Sequence, residues 1–217
     1  MTPPSPAAPL RVAVLVSGSG RTLQNFIDLR AAGQLPIEIP IVVGSRPNLP
    51  GLTRATDAGI ASEVIERKRF ADQLAYDDAI FGLCDRAKVD LICLAGWLCL
   101  LNIPDRYLGR MMNIHPALLP SFGGKGMWGH HVHQAVIDHG CKISGCTVHF
   151  LDNSYDTGPI VLQRTCPVLD DDTPDTLAAR VFEQELIAYP EAVRLFAQGR
   201  LKIDGRRVRT LTNSPTT

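Results

Sequence analysis

An uninterrupted run of apolar and β-branched residues near the N-terminus constrains the fold more than any other part of the chain. Residues 11–17 read R-V-A-V-L-V-S, and Gly18, Ser19 and Gly20 follow directly. A strand that is buried on both faces of a parallel sheet has this continuous pattern, whereas a strand with one wet face alternates. Residues 22–29 then have helical spacing of apolar side chains. We therefore predict a strand, a glycine turn and a helix, the first unit of a parallel α/β sheet.

Four further apolar runs extend this pattern through the first half of the chain. They are predicted as strands over residues 37–43, 61–65, 91–95 and 110–115. Two helical patterns lie between them, a short one over residues 52–58 and a long one over residues 70–87 with Leu74 on its apolar side. Strands that alternate with helices predict a doubly wound α/β fold with a mostly parallel sheet.

The ends of these strands predict where a ligand binds. In an open α/β sheet, ligands lie beyond the carboxyl ends of the strands. Three such ends fall at residues 18–20, 96–98 and 113–115. We expect these three segments to face one crevice.

The second half has a different pattern, which makes the sheet mixed. Residues 144–151 and 160–168 flank a turn-rich segment and predict an antiparallel hairpin. Thr173 begins a helix that is predicted to end near Ala188, and residues 190–197 are predicted as another helix. The tail from Arg206 is polar and is expected to fray.

Length and composition favour one globular domain. Of the 217 residues, 45% are hydrophobic and 20% charged. The 22 basic and 22 acidic side chains cancel, which argues against binding to nucleic acid or a membrane surface through bulk charge.

None of the six cysteines forms C-x-x-C, which favours buried thiols in a reducing compartment. No apolar run approaches the ~18 residues of a membrane span. The N-terminal M-T-P-P-S-P-A-A-P predicts a proline-rich tail rather than a signal peptide, so we expect a cytoplasmic protein.

The glycine turn at residues 18–20 has two interpretations. A strand, a glycine loop and a helix N-terminus together hold a phosphate through free backbone N–H groups and the helix dipole. The sequence lacks the G-K-[ST] of a Walker A loop, and Leu23 stands where the dinucleotide pattern needs its third glycine. The loop by itself is equally consistent with a phosphate site and with a plain tight turn.

A polar pair stands at the end of the fifth predicted strand. Residues 111–120 read M-M-N-I-H-P-A-L-L-P. Asn113 and His115 are two residues apart, so both side chains leave the same face of an extended backbone, and Pro116 favours that extended geometry at His115. A hydrogen-bond donor beside a titratable imidazole suits acyl-transfer chemistry. The alternative is a polar strand end without a catalytic role.

Three histidines near the start of a predicted helix raise the question of a metal site. His130 and His131 are adjacent, so on a helix they point about 100° apart, and no carboxylate or cysteine is spaced to complete a site with His133. We expect no metal.

Four motifs together resemble a known family. They read N-I-H-P-A-L-L-P-S-F from Asn113, S-G-C-T-V-H-F from Ser144, D-x-G-P-I-x-x-Q from Asp156 and R-V-x-x-x-E from Arg180. In these motifs the chain resembles the folate-dependent formyltransferases. The V-S-G-S-G-x-x-L-Q loop on the first strand is similar to those members that act on glycinamide ribonucleotide. The resemblance extends from about residue 12 to residue 204.

The resemblance implies the organisation of the chain and its substrates. We expect a disordered tail at residues 1–10, one formyltransferase domain at 11–204 and a polar tail at 205–217. Within the domain, residues 11–115 form a nucleotide-binding half and residues 116–204 a catalytic and folate-binding half. The implied co-substrate is 10-formyltetrahydrofolate, and the implied acceptor is the amine of N1-(5-phosphoribosyl)glycinamide in purine synthesis. The sequence leaves a homodimer open.

The resemblance also assigns roles to three catalytic residues. Asn113 donates to the oxyanion of the tetrahedral intermediate, and His115 either donates to the same oxygen or shuttles a proton. Asp156 corresponds to the aspartate of the family. A carboxylate beside an imidazole raises the pKa of that imidazole, so we expect a raised pKa at His115.

Substrate contacts follow from the same resemblance. The ribonucleotide phosphate is assigned to Gly18, Ser19, Gly20, Arg21 and Thr22, and its ribose or amine to Glu185. The folate is assigned to Leu98, Cys99, Leu100, Leu101, Asn113, Asp152 and Asp156. Without the resemblance, Glu185 reads as an ordinary exposed helix residue.

The sequence departs from the family pattern at the folate tail and in the phosphate loop. Arg21 and Thr22 replace the usual Ser-Asn of the loop. The family's folate-tail arginine corresponds here to Gln73, and the arginine that follows the family's G-aromatic-Met motif corresponds to Cys99. A neighbouring Arg67 or Arg69 is the substitute that the sequence offers.

Two other functions remain open from the sequence. The first is a hydrolase of formyltetrahydrofolate that uses water as the acceptor. The second is a non-catalytic nucleotide-binding module, in which Asn113, His115 and Asp156 have no chemical role.

Overall fold

The apolar run near the N-terminus forms strand β1 (Leu10–Val16), which is buried on both faces. The structure is a computed structural model that describes residues 8–212. In it, Val12 and Val14 pack on one side of the sheet and Ala13 and Leu15 on the other. A continuous apolar pattern predicts this double burial, because neither face of the strand meets water.

The other elements follow in chain order. The strands are β2 (Ile37–Gly44), β3 (Ser62–Val64), β4 (Leu91–Leu94), β5 (Met111–His115), β6 (Ile143–Phe150), β7 (Ile160–Pro167), β8 (Leu201–Asp204) and β9 (Arg207–Thr210). The helices are α1 (Arg21–Ala31), α2 (Pro50–Asp57), α3 (Gln73–Arg86), α4 (His130–Asp138) and α5 (Pro174–Ala197). Two short 3-10 turns are formed by Arg67–Arg69 and Asp105–Tyr107.

The described strands form one sheet in the order β3-β2-β1-β4-β5-β6-β7-β9-β8. The five strands from β3 to β5 run parallel, and the order reverses between β1 and β4. Helices α1, α2, α4 and α5 contribute to the core on one face, and α3 contributes to the core on the other. The predicted doubly wound α/β fold is therefore confirmed.

The sheet becomes mixed after β5, as the hairpin pattern predicts. Strand β6 runs antiparallel to both β5 and β7. In the register of β5 and β6, Asn113 lies opposite His149, and His115 lies opposite Thr147. The hairpin thus places a second histidine directly across from the asparagine.

Helix α3 begins later than the pattern predicts. It starts at Gln73 rather than at residue 70, because the Asp72 carboxylate accepts a hydrogen bond from the Ala75 N–H and caps the helix. Leu74 is 69% exposed, so its placement on the apolar side was wrong. Residues 70–72 lie outside any helix, between the 3-10 turn Arg67–Arg69 and the first residue of α3.

The two helices predicted after Thr173 are one helix. Helix α5 runs without a break through Pro190, which is buried. Proline removes one N–H from a helix and so releases the carbonyl four residues earlier, at Leu186. That carbonyl accepts a hydrogen bond from Asn25 Nδ2 at 2.9 Å, so the helix tolerates the proline.

The C-terminal segment is more ordered than its polar composition predicts. Residues 201–210 form the hairpin β8–β9 around Gly205, and β9 pairs with β7. An Asp-Gly pair between strand-like segments is a strong hairpin signal, which outweighs polarity here. The polar tail predicted from residue 205 was therefore wrong as far as Thr210, and residues 213–217 lie outside the described range. At the other end Leu10 already belongs to β1, whereas residues 1–7 are not described.

Within residues 8–212, no helix is long and apolar enough to cross a membrane. The same range contains no group of three or more His, Cys, Asp or Glu side chains that are arranged to hold a metal ion.

Candidate active site

The carboxyl ends of β1, β4 and β5 open into one cavity of about 700 Å³. Its wall includes the glycine turn at residues 18–20, the segment that follows β4 at residues 96–98, and the end of β5 at residues 113–115. The loop at residues 124–129 and helix α5 complete the wall. The three strand ends therefore face one crevice, as the parallel topology predicts.

The glycine turn presents the N-terminus of α1 to this cavity. Gly20 has a left-handed backbone with φ of +71°, and no side chain caps the helix. A Cβ atom at Gly20 would lie 2.5 Å from the Cα of Gly51, so only glycine fits the close approach to α2. Backbone N–H groups at an uncapped helix start attract an anion, which favours the phosphate interpretation of this loop over a plain turn.

Helix α2 braces the glycine turn from behind. The guanidinium of Arg54 donates to the Ser19 carbonyl at 2.9 Å and to the Gln24 side-chain oxygen at 3.0 Å. The Gly51 N–H also donates to the Gly18 carbonyl at 3.3 Å. Sequence reasoning missed Arg54, since nothing in the local pattern of α2 indicates which strand end its side chain reaches.

Two side chains of α5 face the turn across the cavity. The Arg21 guanidinium lies 3.9 Å from the centre of the Phe182 ring, a cation–π contact. Glu185 lines the same cavity, and burial raises its pKa to about 7, although the charge of Arg21 opposes that shift. Glu185 is therefore a cavity residue, not the exposed helix residue that it would be without the family resemblance.

The raised pKa of Glu185 predicts a pH-dependent stability. Between about pH 4.5 and 7, folded Glu185 keeps a proton that the unfolded chain has released, so the free energy of unfolding falls as the pH rises. We expect Glu185→Gln, which has no proton to lose, to gain stability relative to the parent protein between pH 5 and 7.5. Urea denaturation at both pH values measures this difference, with Glu183→Gln, an exposed site on the same helix, as control. An equal pH dependence in parent and Glu185→Gln would contradict the assignment.

Asn113, His115 and Asp156 come together at the end of β5. The Asp156 carboxylate lies 3.6 Å from His115 Nδ1 and 3.6 Å from His149 Nε2, and it accepts a hydrogen bond of 2.9 Å from the Gly124 N–H. The β6–β7 hairpin closes the long sequence separation between β5 and Asp156. The three predicted catalytic side chains therefore share one site.

The hydrogen bonds of His115 define its tautomer. Its Nε2 lies 2.8 Å from the Phe122 carbonyl, which can only accept, so Nε2 carries the proton. In the neutral ring, Nδ1 is then unprotonated and faces Asp156. When Nδ1 binds a proton, the neighbouring Asp156 carboxylate stabilises the resulting positive charge. His115 is therefore suited to accept and release protons.

The pKa of His115 lies below its ordinary value of 6.5, contrary to the expected rise. The side chain is only 4% exposed, and burial lowers the pKa more than Asp156 and the Phe122 carbonyl raise it. Burial also acts to raise the pKa of Asp156. The neighbouring imidazoles of His149 and His115 and the hydrogen bond from the Gly124 N–H outweigh it and hold that pKa below its ordinary value.

His149 is a site residue that sequence reasoning did not assign. Its Nδ1 lies 2.9 Å from the Phe150 carbonyl and so carries the proton, which leaves Nε2 as an acceptor for Asn113 Nδ2 at 3.2 Å. This contact orients the Asn113 amide and leaves its second N–H for another acceptor. The S-G-C-T-V-H-F motif was the available signal, but only the strand register brings its histidine to Asn113.

A smaller cavity of about 60 Å³ adjoins the first on the side of β4. All the residues assigned to the folate line it: Leu98, Cys99, Leu100, Leu101, Asn113, Asp152 and Asp156. Asn113 and Asp156 line both cavities. These two side chains therefore lie where the two cavities meet.

The edge of the smaller cavity shows what stands in place of the family arginines. Gln73 Nε2 donates to the Leu100 carbonyl at 3.1 Å, and Arg67 Nε donates to the Gln73 side-chain oxygen at 3.1 Å. Arg69 instead forms an ion pair with Glu66. Of the two arginines that the sequence offers as substitutes, Arg67 is the one linked to the cavity edge.

The three histidines at the start of α4 have different surroundings. His130 and His133 line the large cavity, whereas His131 packs edge-on against Trp128 at 5.2 Å between ring centres. His133 is buried, which lowers its pKa to about 4. Two of the three histidines are therefore wall residues of the large cavity.

Comparison with known proteins identifies the family. The formyl transferase profile matches residues 10–193. A phosphoribosylglycinamide formyltransferase of Haemophilus influenzae is 38% identical over 195 residues, which cover 89% of this chain and 90% of that protein. A trifunctional purine biosynthetic protein adenosine-3 of Drosophila melanogaster is 42% identical over 193 residues, and the match spans 87% of this chain but only 14% of that protein.

A solved structure agrees with these sequence matches. Glycinamide ribonucleotide transformylase 1 from Symbiobacterium toebii superposes with a TM-score of 0.89 at 40% sequence identity, covering 95% of this chain and 96% of that one. Sequence profile, relatives of similar length and three-dimensional fold thus agree over nearly the whole described chain. The protein belongs to the formyl transferase family.

Proposed function

We propose that this protein transfers the formyl group of 10-formyltetrahydrofolate to the amine of N1-(5-phosphoribosyl)glycinamide, a step of de novo purine synthesis. One observation carries the proposal: the cavity that contains the uncapped start of α1 and a second, smaller cavity meet at Asn113 and Asp156. A formyl transferase that joins a phosphorylated acceptor to a folate donor needs two such subsites with the reacting groups between them.

The larger cavity suits the ribonucleotide. The free N–H groups of the turn formed by Gly18, Ser19, Gly20, Arg21 and Thr22 would hold the phosphate, with the helix dipole contributing about 0.3–2 kcal/mol. Arg21 adds a positive charge close to this turn. Glu185, across the cavity, would accept hydrogen bonds from the ribose or from the amine.

The smaller cavity, of about 60 Å³, holds only part of a ligand, so we assign the folate ring system to the space where this cavity joins the larger one. The segment 98–101 offers backbone polar groups between apolar side chains, and Asp152 and Asp156 border the same space. We assign the folate tail to Arg67, because Arg69 is already paired with Glu66.

The chemistry follows from the geometry of Asn113. The acceptor amine attacks the formyl carbon, a C–N bond forms, and the formyl oxygen becomes an oxyanion. The free N–H of Asn113 is oriented by His149 and would donate to that oxygen. A donor of this kind contributes about 10²–10³ in rate.

The proton moves through His115. The attacking amine must lose a proton, and the folate nitrogen must gain one as its bond to the formyl carbon breaks. Neutral His115 offers its unprotonated Nδ1 for the transfer, and Asp156 stabilises the imidazolium that forms. Because burial lowers the pKa of His115, the ring is neutral and ready to accept a proton at pH 7.

The reaction is tested by following tetrahydrofolate release from the formyl donor with and without glycinamide ribonucleotide. We expect release that depends on the ribonucleotide and stoichiometric formation of the formylated product. Release with formate as the only product, at the same rate without the ribonucleotide, would overturn the proposal.

That assay also separates the two alternatives. A formyltetrahydrofolate hydrolase would release formate without an acceptor, and the uncapped helix start at Gly20 argues against it, since water needs no phosphate site. A non-catalytic binding module would release neither product. The buried, oriented arrangement of Asn113, His115 and Asp156 favours catalysis over that module.

The cellular setting is part of the same proposal. All six cysteines are free thiols, and most of them are buried. Free thiols persist in reducing compartments, which supports the proposed cytoplasmic location. We expect both partners in the reaction to be small molecules.

A further inference from the structure

A single side-chain hydrogen bond joins helices α1 and α5 at the point where α5 has lost a bond of its own. Pro190 has no N–H, so the carbonyl of Leu186 lacks its normal helical donor. Asn25 Nδ2 of α1 donates to that carbonyl at 2.9 Å from 161 residues away in the sequence. Among the hydrogen bonds within residues 8–212, this one alone connects the two helices.

The bond joins the two elements that form one end of the large cavity, namely α1 with the glycine turn before it and α5 with Glu185. Helix α1 begins at Arg21, directly after the glycine turn, and Asn25 is one turn further along. Leu186 directly follows Glu185, which faces that turn. The bond therefore connects α1, which begins directly after the glycine turn, to the α5 residue next to Glu185.

Two other α1–α5 contacts of this region, the Arg21–Phe182 cation–π contact and the Phe26–Tyr189 aromatic pair, have no comparable direction. Phe26 packs edge-on against Tyr189, with ring centres 5.2 Å apart and an interplanar angle of 66°. Aromatic packing tolerates small slides, whereas a hydrogen bond to a carbonyl fixes both distance and angle. The amide of Asn25 thus supplies the directional restraint between the helices.

We propose that Asn25 is a positioning residue for the ribonucleotide: its bond to Leu186 sets the spacing between the glycine turn and Glu185. This inference rests on the proposed function, since it assigns both features to one substrate. The folate cavity lies at the ends of other strands and includes no residue of α1. Loss of the bond therefore weakens ribonucleotide binding and leaves the folate site unchanged.

Steady-state kinetics of Asn25→Ala and Asn25→Asp test the assignment, with each substrate varied in turn. We expect the KM for glycinamide ribonucleotide to rise about three- to tenfold, the range of one lost hydrogen bond, while kcat and the KM for the formyl donor stay within about twofold. Asn25→Asp keeps the shape but turns an oxygen toward the carbonyl, so its effect is at least as large. Arg30→Ala, an exposed site on the same helix, is the matched control.

A second variant tests whether Asn25 sets the spacing of the helices or only supplies a donor that the Leu186 carbonyl lacks. Pro190→Ala returns a helical N–H to Leu186, and the carbonyl has a second lone pair that Asn25 can still use. We expect the double variant Asn25→Ala/Pro190→Ala to keep the raised KM relative to Pro190→Ala alone. Recovery in the double variant, or an unchanged ribonucleotide KM in Asn25→Ala, overturns the inference. If the parent protein shows no ribonucleotide-dependent turnover, the proposed function itself fails instead.

Discussion

Replacing His115 by glutamine should lower kcat by about 10²–10⁴, because the transfer of a proton between amine and folate nitrogen loses its carrier. Glutamine can still donate to the Phe122 carbonyl, as His115 Nε2 does, but its amide does not titrate. The loss should therefore appear in kcat rather than in the KM of either substrate. Steady-state measurement of tetrahydrofolate release at saturating concentrations of both substrates gives this result directly.

The pH profile adds a second criterion for His115. In the parent protein, kcat/KM should fall with acid only below the ordinary imidazole range, because burial holds the pKa of His115 below 6.5 and protonation removes the acceptor nitrogen. The glutamine variant should lack this acid limb. His139→Gln, at the exposed end of α4, serves as the matched control. A variant that keeps both the limb and more than a tenth of the parent kcat would show that His115 is not the carrier.

The local sequence predicted those parts of the site that lie on single strand ends. The apolar run of β1 and the glycines after it indicated a buried parallel strand that leads through a glycine turn into a helix. The spacing of Asn113 and His115 placed both side chains on one face, since the period of a strand is two. These inferences need only neighbouring residues, and the cavity at the three strand ends agrees with them.

Residues that reach the site through tertiary structure were not predictable in the same way. His149 and Arg54 depend on a strand register and on a helix packing that no local pattern encodes. Asp156 and Glu185 were assigned only through family resemblance. The pKa of His115 was predicted in the wrong direction, because its neighbour was known from sequence but its burial was not.

Two errors in the secondary structure have the same origin. Pro190 was taken as a helix boundary, but a donor from α1 satisfies the carbonyl that it releases, so α5 continues. The polar segment after residue 204 was taken as a fraying tail, yet β9 pairs with β7 and so joins the sheet. In both cases a partner distant in sequence outweighed the local preference.

Asn113 is the other residue whose loss should affect the rate most. Its amide lies between the two cavities, and its contact with His149 Nε2 occupies one of its two N–H groups. His149 Nδ1 donates to a backbone carbonyl, so the imidazole cannot offer Nε2 as a donor while it is neutral. The Asn113 amide is therefore held with nitrogen, rather than oxygen, toward His149. Its second N–H is left for the formyl oxygen.

Asn113→Ala should accordingly lower kcat by about 10²–10³ with little change in either KM, because the hydrogen bond strengthens as the oxyanion forms and contributes little to ground-state binding. Asn113→Asp has nearly the same shape but places a negative charge beside the developing oxyanion, so its kcat should fall at least as far. His149→Phe keeps the Asn113 amide while removing the acceptor that orients it, and a smaller loss of kcat is expected. Steady-state kinetics of the three variants, with each of the two substrates varied, measure kcat and both KM values. If Asn113→Ala raised KM at constant kcat, Asn113 would bind substrate without stabilising the transition state, and the oxyanion role assigned to it would be wrong.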